Sequence, residues 1–306
     1  MIKIIRALGR AILTLFFISA ANFFLMKLIP GGPFDTDKKV PPEVLRALEA
    51  KFRLDLPWWD QYFEYMKGIL FHWDWGPSLK FLGQNVSEII MDGLPVSIEL
   101  GCYALSVALV LGIISGTLAA ANRGTWIDRV SMGVAVLGIS LPSFLVGALA
   151  IVFFAQKLGI LPAAMWDSPA HKVLPTLVLG IRPAALIARL TRSSVLETLQ
   201  MDFIRTARAK GLSRTKVLFV HALRNSLLPV LSLLGPLAAT VLTGSFVIEY
   251  MFSVPGLATH FIQAVNNRDY PLLMGATLLY AAMLVFLNFC TEVLSVSVDP
   301  RLRRAA

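Results

Sequence analysis

The residue types that most often do chemistry in proteins are few in this 306-residue chain, and their spacing matches no catalytic or metal-binding pattern. The four histidines include no His-Glu-x-x-His pair, and no Gly-x-Ser-x-Gly turn occurs, so the motifs of zinc and serine hydrolases are missing. No Gly-Lys pair occurs, which excludes the phosphate loop that binds ATP. Cys102 and Cys290 lie in apolar runs, away from any disulfide framework or metal-ligand spacing. We therefore expect no catalytic residue, metal or cofactor in this chain, with a membrane enzyme as a remaining alternative.

Charged residues inside apolar runs are the second place to look for function, because an ion within the bilayer is costly. Arg182, just before Pro183, lies deepest in its run and is a candidate for the lining of a pathway, with ion pairing or snorkelling as alternatives. Glu99 and Glu249 fall near run ends, where a boundary position explains them equally well, and Glu292 fits a salt bridge. None is clearly central, as a proton-driven secondary transporter would require, although that class stays open.

Membrane-spanning helices are the elements that must position these groups. The chain is 56% hydrophobic and 15% charged, with a mean hydropathy of +0.69, whereas soluble proteins have about 45–50% apolar and about 25% charged residues. A run of about 20 apolar residues crosses a bilayer as a helix. Six runs predict six transmembrane helices, near residues 10–29, 97–121, 131–155, 174–192, 227–249 and 272–296. We expect an all-α integral membrane protein.

The distribution of Lys and Arg predicts that both termini face the cytoplasm. One alternating set of loops holds 16 basic and four acidic residues: 1–10, 122–129, 189–226 and 299–306. The other set holds 10 basic and 12 acidic residues: 30–96, 156–173 and 250–271. Because positive loops stay inside, the first set is cytoplasmic. The net charge of +9 is thus explained by topology and anionic lipid, and not by nucleic-acid binding.

These assignments give the domain organisation expected from the sequence. A helix over 1–30 is expected to be retained, since no small-x-small cleavage site follows it as in a signal peptide. An extracytoplasmic helical segment over 31–96 follows, where Pro41-Pro42-Glu43 resembles a helix start. The remainder is a core of five helices over 97–298, with a cytoplasmic loop at 193–226, and a tail over 299–306. The extracytoplasmic segment carries an aromatic cluster that is either an interfacial belt or a docking surface: Trp58, Trp59, Tyr62, Phe63, Tyr65, Trp73 and Trp75.

The loop between the fourth and fifth predicted spans indicates a short, capped helix. Asp202 is a suitable N-cap, the following residues favour a helix, and Gly211 can end it in the left-handed conformation. Ser213 can cap a second helix. A helix of about 12 Å is marginal alone in water, so it must pack against something. The residues leave two roles open, which are a basic helix lying on anionic lipid and a rigid contact with another protein.

This loop resembles that of permease subunits of bacterial ATP-binding-cassette importers. Their general signature, Glu-Ala-Ala-x-x-x-Gly, is matched here by Ala207 and Gly211, while Arg205 and Thr206 replace its first two residues. The peptide-importer branch is more similar, through DFIRTARAKGL at 202–212 and HALRNSLLPV at 221–230. Further similar blocks are LIPGGPF at 28–34, LDLPWWDQYFEYMKG at 54–68, DWGPSLK at 74–80, PVSIELG at 95–101, TGSFVIEYMFSVPGL at 243–257, NRDYPLL at 267–273 and VDPRLR at 298–303. The chain is similar to the first permease of oligopeptide importers, and dipeptide, murein-peptide, nickel and glutathione permeases are alternatives.

The resemblance implies a type I importer permease core in the bacterial inner membrane. It implies four kinds of partner: a second permease, two cytoplasmic ATPases that bind ATP and Mg²⁺, an extracytoplasmic peptide-binding protein, and membrane lipid. The residues implied in coupling to an ATPase are Asp202, Arg205, Thr206, Ala207, Arg208, Lys210, Gly211 and Leu212. Ala207 and Gly211 are expected to allow close approach of that partner. The expected polar lining of the translocation path is Ser140, Ser143, Arg182, Thr243, Ser245 and Asn288.

Overall fold

A computed structural model of the chain describes residues 2–28, 33–34, 41–81, 83–243 and 245–298, and side chains except those of 2–7, 243 and 291–298. The expected tail over 299–306, most of the blocks at 28–34 and 298–303, and the side chains of Thr243 and Glu292 lie outside this description. Within it the chain is helical, with no named strand and a single isolated bridge between Pro77 and Asn85.

Fourteen α-helices can be named in the described residues, with π-helical turns between some of them. They are α1 (Ile2–Leu28), α2 (Pro42–Lys51), α3 (Trp58–Lys67), α4 (Val86–Ala121), α5 (Trp126–Ser140), α6 (Ser143–Ala150), α7 (Pro169–Thr198), α8 (Asp202–Ala209), α9 (Arg214–Lys216), α10 (Leu223–Ser226), α11 (Leu228–Thr243), α12 (Phe246–Met251), α13 (Leu257–Asn267) and α14 (Tyr270–Val298). The π-helical turns are Gly68–His72, Ile151–Lys157 and Val217–Ala222.

The number of membrane spans agrees with the sequence if each bent pair of helices is counted as one. Four uninterrupted segments are long and apolar enough to cross a bilayer: Leu8–Leu28, Val86–Ala121, Pro169–Thr198 and Tyr270–Cys290. Two further spans are bent pairs: Trp126–Ser140 with Ser143–Lys157, and Arg214–Ser226 with Leu228–Leu242. The bends are 109° and 51°. The total is six, as predicted, in the described part of the chain.

The third and fifth spans are not the single helices that the sequence predicts over 131–155 and 227–249. The third breaks at Leu141, which is extended with φ −78° and ψ 134°. Pro142 follows it, and a proline disfavours the helical conformation of the preceding residue. The fifth ends as α11 at Thr243, and its last residues form the separate helix α12.

The chain divides into two compact units, and residues 97–255 and 284–306 form the larger one. Its helices α4 and α7 approach closely through small residues. A Cβ added at Gly116 would lie 2.4 Å from the carbonyl oxygen of Ala188, and one at Gly180 would lie 2.9 Å from that of Ala104. Small residues permit such backbone contact between membrane helices. An apolar cluster fills the adjoining space: Ala108, Ala184, Ile187, Val230 and Leu237.

Residues 1–96 and 256–283 form the other unit, in which α3 packs on α1. Tyr62 is buried, its hydroxyl lies 2.7 Å from that of Ser19, and its ring centroid is 5.5 Å from that of Phe23. Trp59, by contrast, is 63% exposed and Trp73 is 80% exposed. The aromatic cluster therefore has two parts, a packing residue and an outer surface, and the choice between belt and docking surface stays open for the outer part.

Two titratable groups in this unit are shifted by burial. The pKa of the Tyr65 hydroxyl is raised, first by burial and then by the carboxylates of Asp74 and Asp269. The pKa of His260 is lowered by burial, against a smaller opposing effect of Asp92. Because that pKa is below its ordinary value, His260 is neutral at pH 7. Its protonation at lower pH is easier in the unfolded chain, so the free energy of unfolding decreases as the pH falls.

The domain organisation expected from the sequence places residues 256–271 and the start of α14 in the core, whereas by compactness residues 256–283 group with 1–96. Compactness is a different criterion from membrane topology, because a helix that crosses the bilayer can pack with either unit. The expected bounds therefore remain a prediction.

Candidate functional site

The predicted short helix is present as α8, but it begins differently from the expectation. Met201 is the N-cap, with φ −71° and ψ 152°, and makes no side-chain capping bond. Asp202 is thus the first helical residue and not the cap. Its side chain is 93% exposed and lies 3.4 Å from Arg205 Nη1. A carboxylate in the first turn still interacts favourably with the positive end of the helix dipole.

The helix ends as predicted, at a glycine in the left-handed conformation. Gly211 has φ +77° and its N–H donates to the carbonyl of Arg208 at 2.9 Å. The N–H of Leu212 donates to the carbonyl of Ala207 at 3.4 Å, which completes a Schellman motif. Ser213 Oγ then accepts from the N–H of Lys216 at 3.3 Å and caps α9. The caps indicated at Gly211 and Ser213 are therefore confirmed, whereas the one indicated at Asp202 is wrong.

The inner face of α8 packs against residues that follow it in the chain. Ile204 is fully buried and Ala207 is 7% exposed. Both belong to an apolar cluster with Val217 and Ala222, against which Leu212 also packs. This cluster supplies the support that a two-turn helix requires. It also corrects one expectation, because the Ala207 methyl faces the chain's own core and cannot provide close approach to a partner.

The outer face of α8 is basic and partly apolar. Six of the expected coupling residues have exposed positions: Asp202, Arg205, Thr206, Arg208, Lys210 and Gly211. Three exposed residues were missed by the sequence reasoning, namely Met201, Phe203 and Ala209. Met201 is 50% and Phe203 41% exposed. The signal was the three-residue spacing of Ile204 and Ala207, which marks the inner face and so leaves Ala209 outside.

Polar contacts hold the elements around α8 in place. Ser226 Oγ on α10 lies 3.0 Å from Thr198 Oγ1 and 3.2 Å from the carbonyl oxygen of Ser194, both on α7. Asp128 on α5 accepts from Arg192 Nε at 2.6 Å and from Arg192 Nη2 at 2.8 Å. Two parallel bonds of this kind fix the orientation of the pair. Polar contacts therefore join α5 and α10 to α7, and these three helices form the frame beside α8.

The expected path-lining residues are placed in different surroundings. Ser140 and Ser143 are exposed and flank the bend at Leu141 and Pro142. Arg182 and Asn288 are exposed as well, on α7 and α14.

Ser245 differs from these residues, because it is fully buried and donates to the Glu249 carboxylate. Its hydroxyl therefore serves an internal network and is not open to a path. Glu249, expected at a boundary, is likewise fully buried, and Ser97 Oγ donates to it at 3.0 Å.

Replacement of Gly211 by Val is expected to loosen α8 and impair its function. The left-handed conformation costs an L-residue about 1–2 kcal/mol, and a β-branched side chain is the least tolerant. A Cβ at this position would meet nothing within 4 Å, so the effect is conformational and not steric. Gly211→Asn is the matched control, because Asn tolerates this conformation. Hydrogen exchange of residues 202–216 in the purified protein measures the difference, and equal exchange in both variants would contradict this account.

Comparison with known families gives a match over nearly the whole chain. The family described as binding-protein-dependent transport system inner membrane component matches residues 108–304, and the N-terminal family of such membrane components matches residues 1–101. The dipeptide transport system permease protein DppB of Bacillus subtilis is 45% identical over 290 residues, which cover 95% of this chain and 94% of that protein. The oligopeptide transport system permease protein OppB of Haemophilus influenzae is 41% identical and covers 98% of both chains.

Solved structures show the same fold at low sequence identity. A chain of the inward-facing methionine ABC transporter MetNI aligns with a TM-score of 0.58 and 17% identity, over 69% of this chain and 97% of that chain. A chain of an amino acid ABC transporter with histidines aligns with a TM-score of 0.55 and 15% identity, over 68% and 94% of the two chains. At these identities the likeness concerns the fold, which is that of a type I importer permease.

Proposed function

Because the chain belongs to the family of binding-protein-dependent transport system inner membrane components, we propose that it is the permease subunit of an ATP-driven peptide importer. It contains no phosphate loop of its own. In this proposal two separate cytoplasmic ATPases bind ATP and Mg²⁺, and the chain itself has no cofactor and no ATPase site. A second permease completes the membrane passage, and an extracytoplasmic binding protein delivers the peptide.

The structure of α8 is the observation that carries this proposal. The helix is capped at its C-terminal end, packed through Ile204 and Ala207, and exposed on its opposite face. A stiff element of this kind transmits a push from a partner to the helices behind it. Ser226 on α10 contacts Ser194 and Thr198 on α7, so a movement of α8 and the segment behind it is transmitted to a membrane span.

The outer face of α8 fits the surface of an ATPase that offers both apolar and acidic groups. Met201 and Phe203 supply the apolar contact, while Arg205 and Lys210 supply charge. An exposed ion pair contributes only about 0–1 kcal/mol, and burial of exposed apolar area contributes about 25 cal/mol per Å². We therefore assign most of the docking energy to the two apolar side chains. Ala209, on the same face, leaves room for the approach.

In this proposal the chain lies in the bacterial inner membrane with α8 and both termini in the cytoplasm. The positive-inside distribution of Lys and Arg supports the orientation. The cargo is a peptide, and relatives of similar identity are named for dipeptides and for oligopeptides, so the peptide length is left unassigned. Ser140, Ser143, Arg182 and Asn288 are proposed to meet the peptide, since they are polar and exposed in the isolated chain.

Reconstitution of the complete complex in liposomes tests this function. We expect concentrative uptake of labelled peptide when the second permease, both ATPases, the binding protein and ATP are present. Uptake should survive an ionophore that collapses the proton gradient, because the energy comes from ATP. Liposomes that hold the chain alone are the control, and they should not accumulate peptide. Accumulation by the chain alone, or uptake that stops with the ionophore, would show a secondary transporter instead.

A further inference from the structure

A cavity of about 630 Å³ lies beside α8 and is not used by the function proposed above. Its apolar lining includes Ala120, Leu212 and Leu218. Its polar lining is dominated by three arginines from three different segments, namely Arg123 after α4, Arg208 on α8 and Arg214 on α9. We refer to it as the arginine cavity. A space lined by apolar side chains and three cations suits an anion that also carries an apolar part.

None of the three guanidinium groups lies within 4 Å of a carboxylate among the described side chains. Arg123 interacts with the Asp128 carboxylate only at longer range, because Arg192 binds that carboxylate directly. Arg214 donates to the carbonyl of Ala121, at the C-terminal end of α4, which fixes its position. Since guanidinium groups pair with phosphate through parallel hydrogen bonds, the cavity offers cations to a phosphate group.

The cavity lies at the depth where lipid headgroups are expected. Thr125 lines it, and the next residue, Trp126, is 72% exposed at the start of a membrane span. Exposed tryptophans at such positions mark the membrane interface. On α4 the exposed apolar residue Leu118 precedes the cavity residue Ala121 by three positions, or about 4.5 Å of helix. The cavity therefore opens where the apolar surface of α4 ends.

We propose that the arginine cavity binds the phosphate headgroup of an anionic phospholipid. Basic pockets at the cytoplasmic ends of membrane helices are suited to such headgroups. Because Arg208 belongs to α8 and Arg123 follows the C-terminal end of α4, a bound headgroup bridges α8 and a membrane span. The inference rests on the cytoplasmic orientation given under the proposed function. It adds a role for lipid, which is to stabilise the contact through which ATP hydrolysis is transmitted.

Lipid titration of the purified four-subunit complex tests the proposal. The variant is Arg123→Gln with Arg214→Gln, which leaves Arg208 on the docking helix unchanged. The control is Lys216→Gln with Arg224→Gln, which removes the same charge from exposed positions outside the cavity. Retention of phosphatidylglycerol is followed by native mass spectrometry. Each basic residue near an anionic surface contributes about 1 kcal/mol, so the variant should bind about 30-fold more weakly, with the control unchanged.

A second measurement separates lipid from other anions. Peptide-stimulated ATP hydrolysis in the presence of the binding protein is compared in nanodiscs of phosphatidylcholine with and without phosphatidylglycerol, and in phosphatidylcholine nanodiscs with added inorganic phosphate. Stimulation by phosphatidylglycerol in the wild type and the control, but not in the variant, is the expected result. An equal response of the variant overturns the proposal, and so does stimulation by inorganic phosphate alone. Loss of the ATPases from the variant in every lipid would assign the arginines to protein contact and overturn it as well.

The two readouts also distinguish this proposal from the proposed function. If the wild-type complex shows no peptide-stimulated hydrolysis in any lipid, the importer function fails while the lipid titration still reports on the cavity. If hydrolysis is normal and the variant retains lipid like the control, the cavity proposal alone fails.

Discussion

Replacement of Ala209 by Trp is expected to reduce peptide uptake by about tenfold or more, while the chain stays folded and inserted. Ala209 is exposed on the face of α8 opposite Ile204 and Ala207. A large side chain there does not disturb the packing of the loop. It does separate α8 from a closely fitting partner, and overpacking of a close contact costs about 1–3 kcal/mol. Uptake by the reconstituted complex and co-purification of the ATPases measure the effect.

Ala207→Trp is the informative comparison, because it should also reduce peptide uptake but through disturbed packing of α8 and not through loss of docking. Ala207 is 7% exposed and packs in the cluster that holds α8 in place. The bulky residue should therefore lower the melting temperature and increase hydrogen exchange across residues 202–216. Thr215→Trp, at an exposed position off α8, controls for size alone and should leave uptake unchanged. Normal uptake by Ala209→Trp would contradict docking through this face.

These two alanines show what the sequence reveals about the loop and what it does not. The helix, its glycine end and the Ser213 cap follow from local rules, since each depends on residues within one or two turns. Which alanine faces a partner depends on the side that packs. The signature aligned on Gly211 predicts that Ala207 is the alanine that faces the partner. The requirement that so short a helix be supported, with Ile204 and Leu212 as the available apolar groups, indicates the opposite assignment.

The third span shows a limit of hydropathy. The run over 131–155 is apolar on all sides, so its periodicity cannot reveal a break. Pro142 is a local signal for one. The 109° angle depends on long-range contacts, such as the close approach of Gly147 to Met251, where an added Cβ would lie 2.6 Å from the sulfur. Such a contact joins residues more than 100 positions apart and is not visible in either segment alone.

Among single substitutions in the polar contacts that join α5, α7 and α10, Asp128→Ala is expected to be the most damaging. Asp128 is 5% exposed, and its carboxylate accepts two hydrogen bonds from Arg192 and one from the N–H of Gly124 at 2.9 Å. Removal leaves the half-buried guanidinium of Arg192 and the Gly124 N–H without their acceptor. A buried donor that loses its partner costs about 1–3 kcal/mol. The variant should melt at a lower temperature, and uptake should fall because the ion pair that links α5 to α7 is lost.

Exchanging the two charged residues, Asp128 and Arg192, separates the contribution of their ion pair from that of the hydrogen bond to Gly124. In Asp128→Arg with Arg192→Asp the pair can form again, but the N–H of Gly124 has no carboxylate to donate to. We expect the exchange to recover part of the melting temperature lost in Asp128→Ala, since the larger share of the contacts to Asp128 comes from Arg192. Recovery of uptake in parallel would assign the effect to the link between α5 and α7. A melting temperature of Asp128→Ala equal to that of the wild type would contradict it, because the pair would then contribute no more than an exposed surface pair.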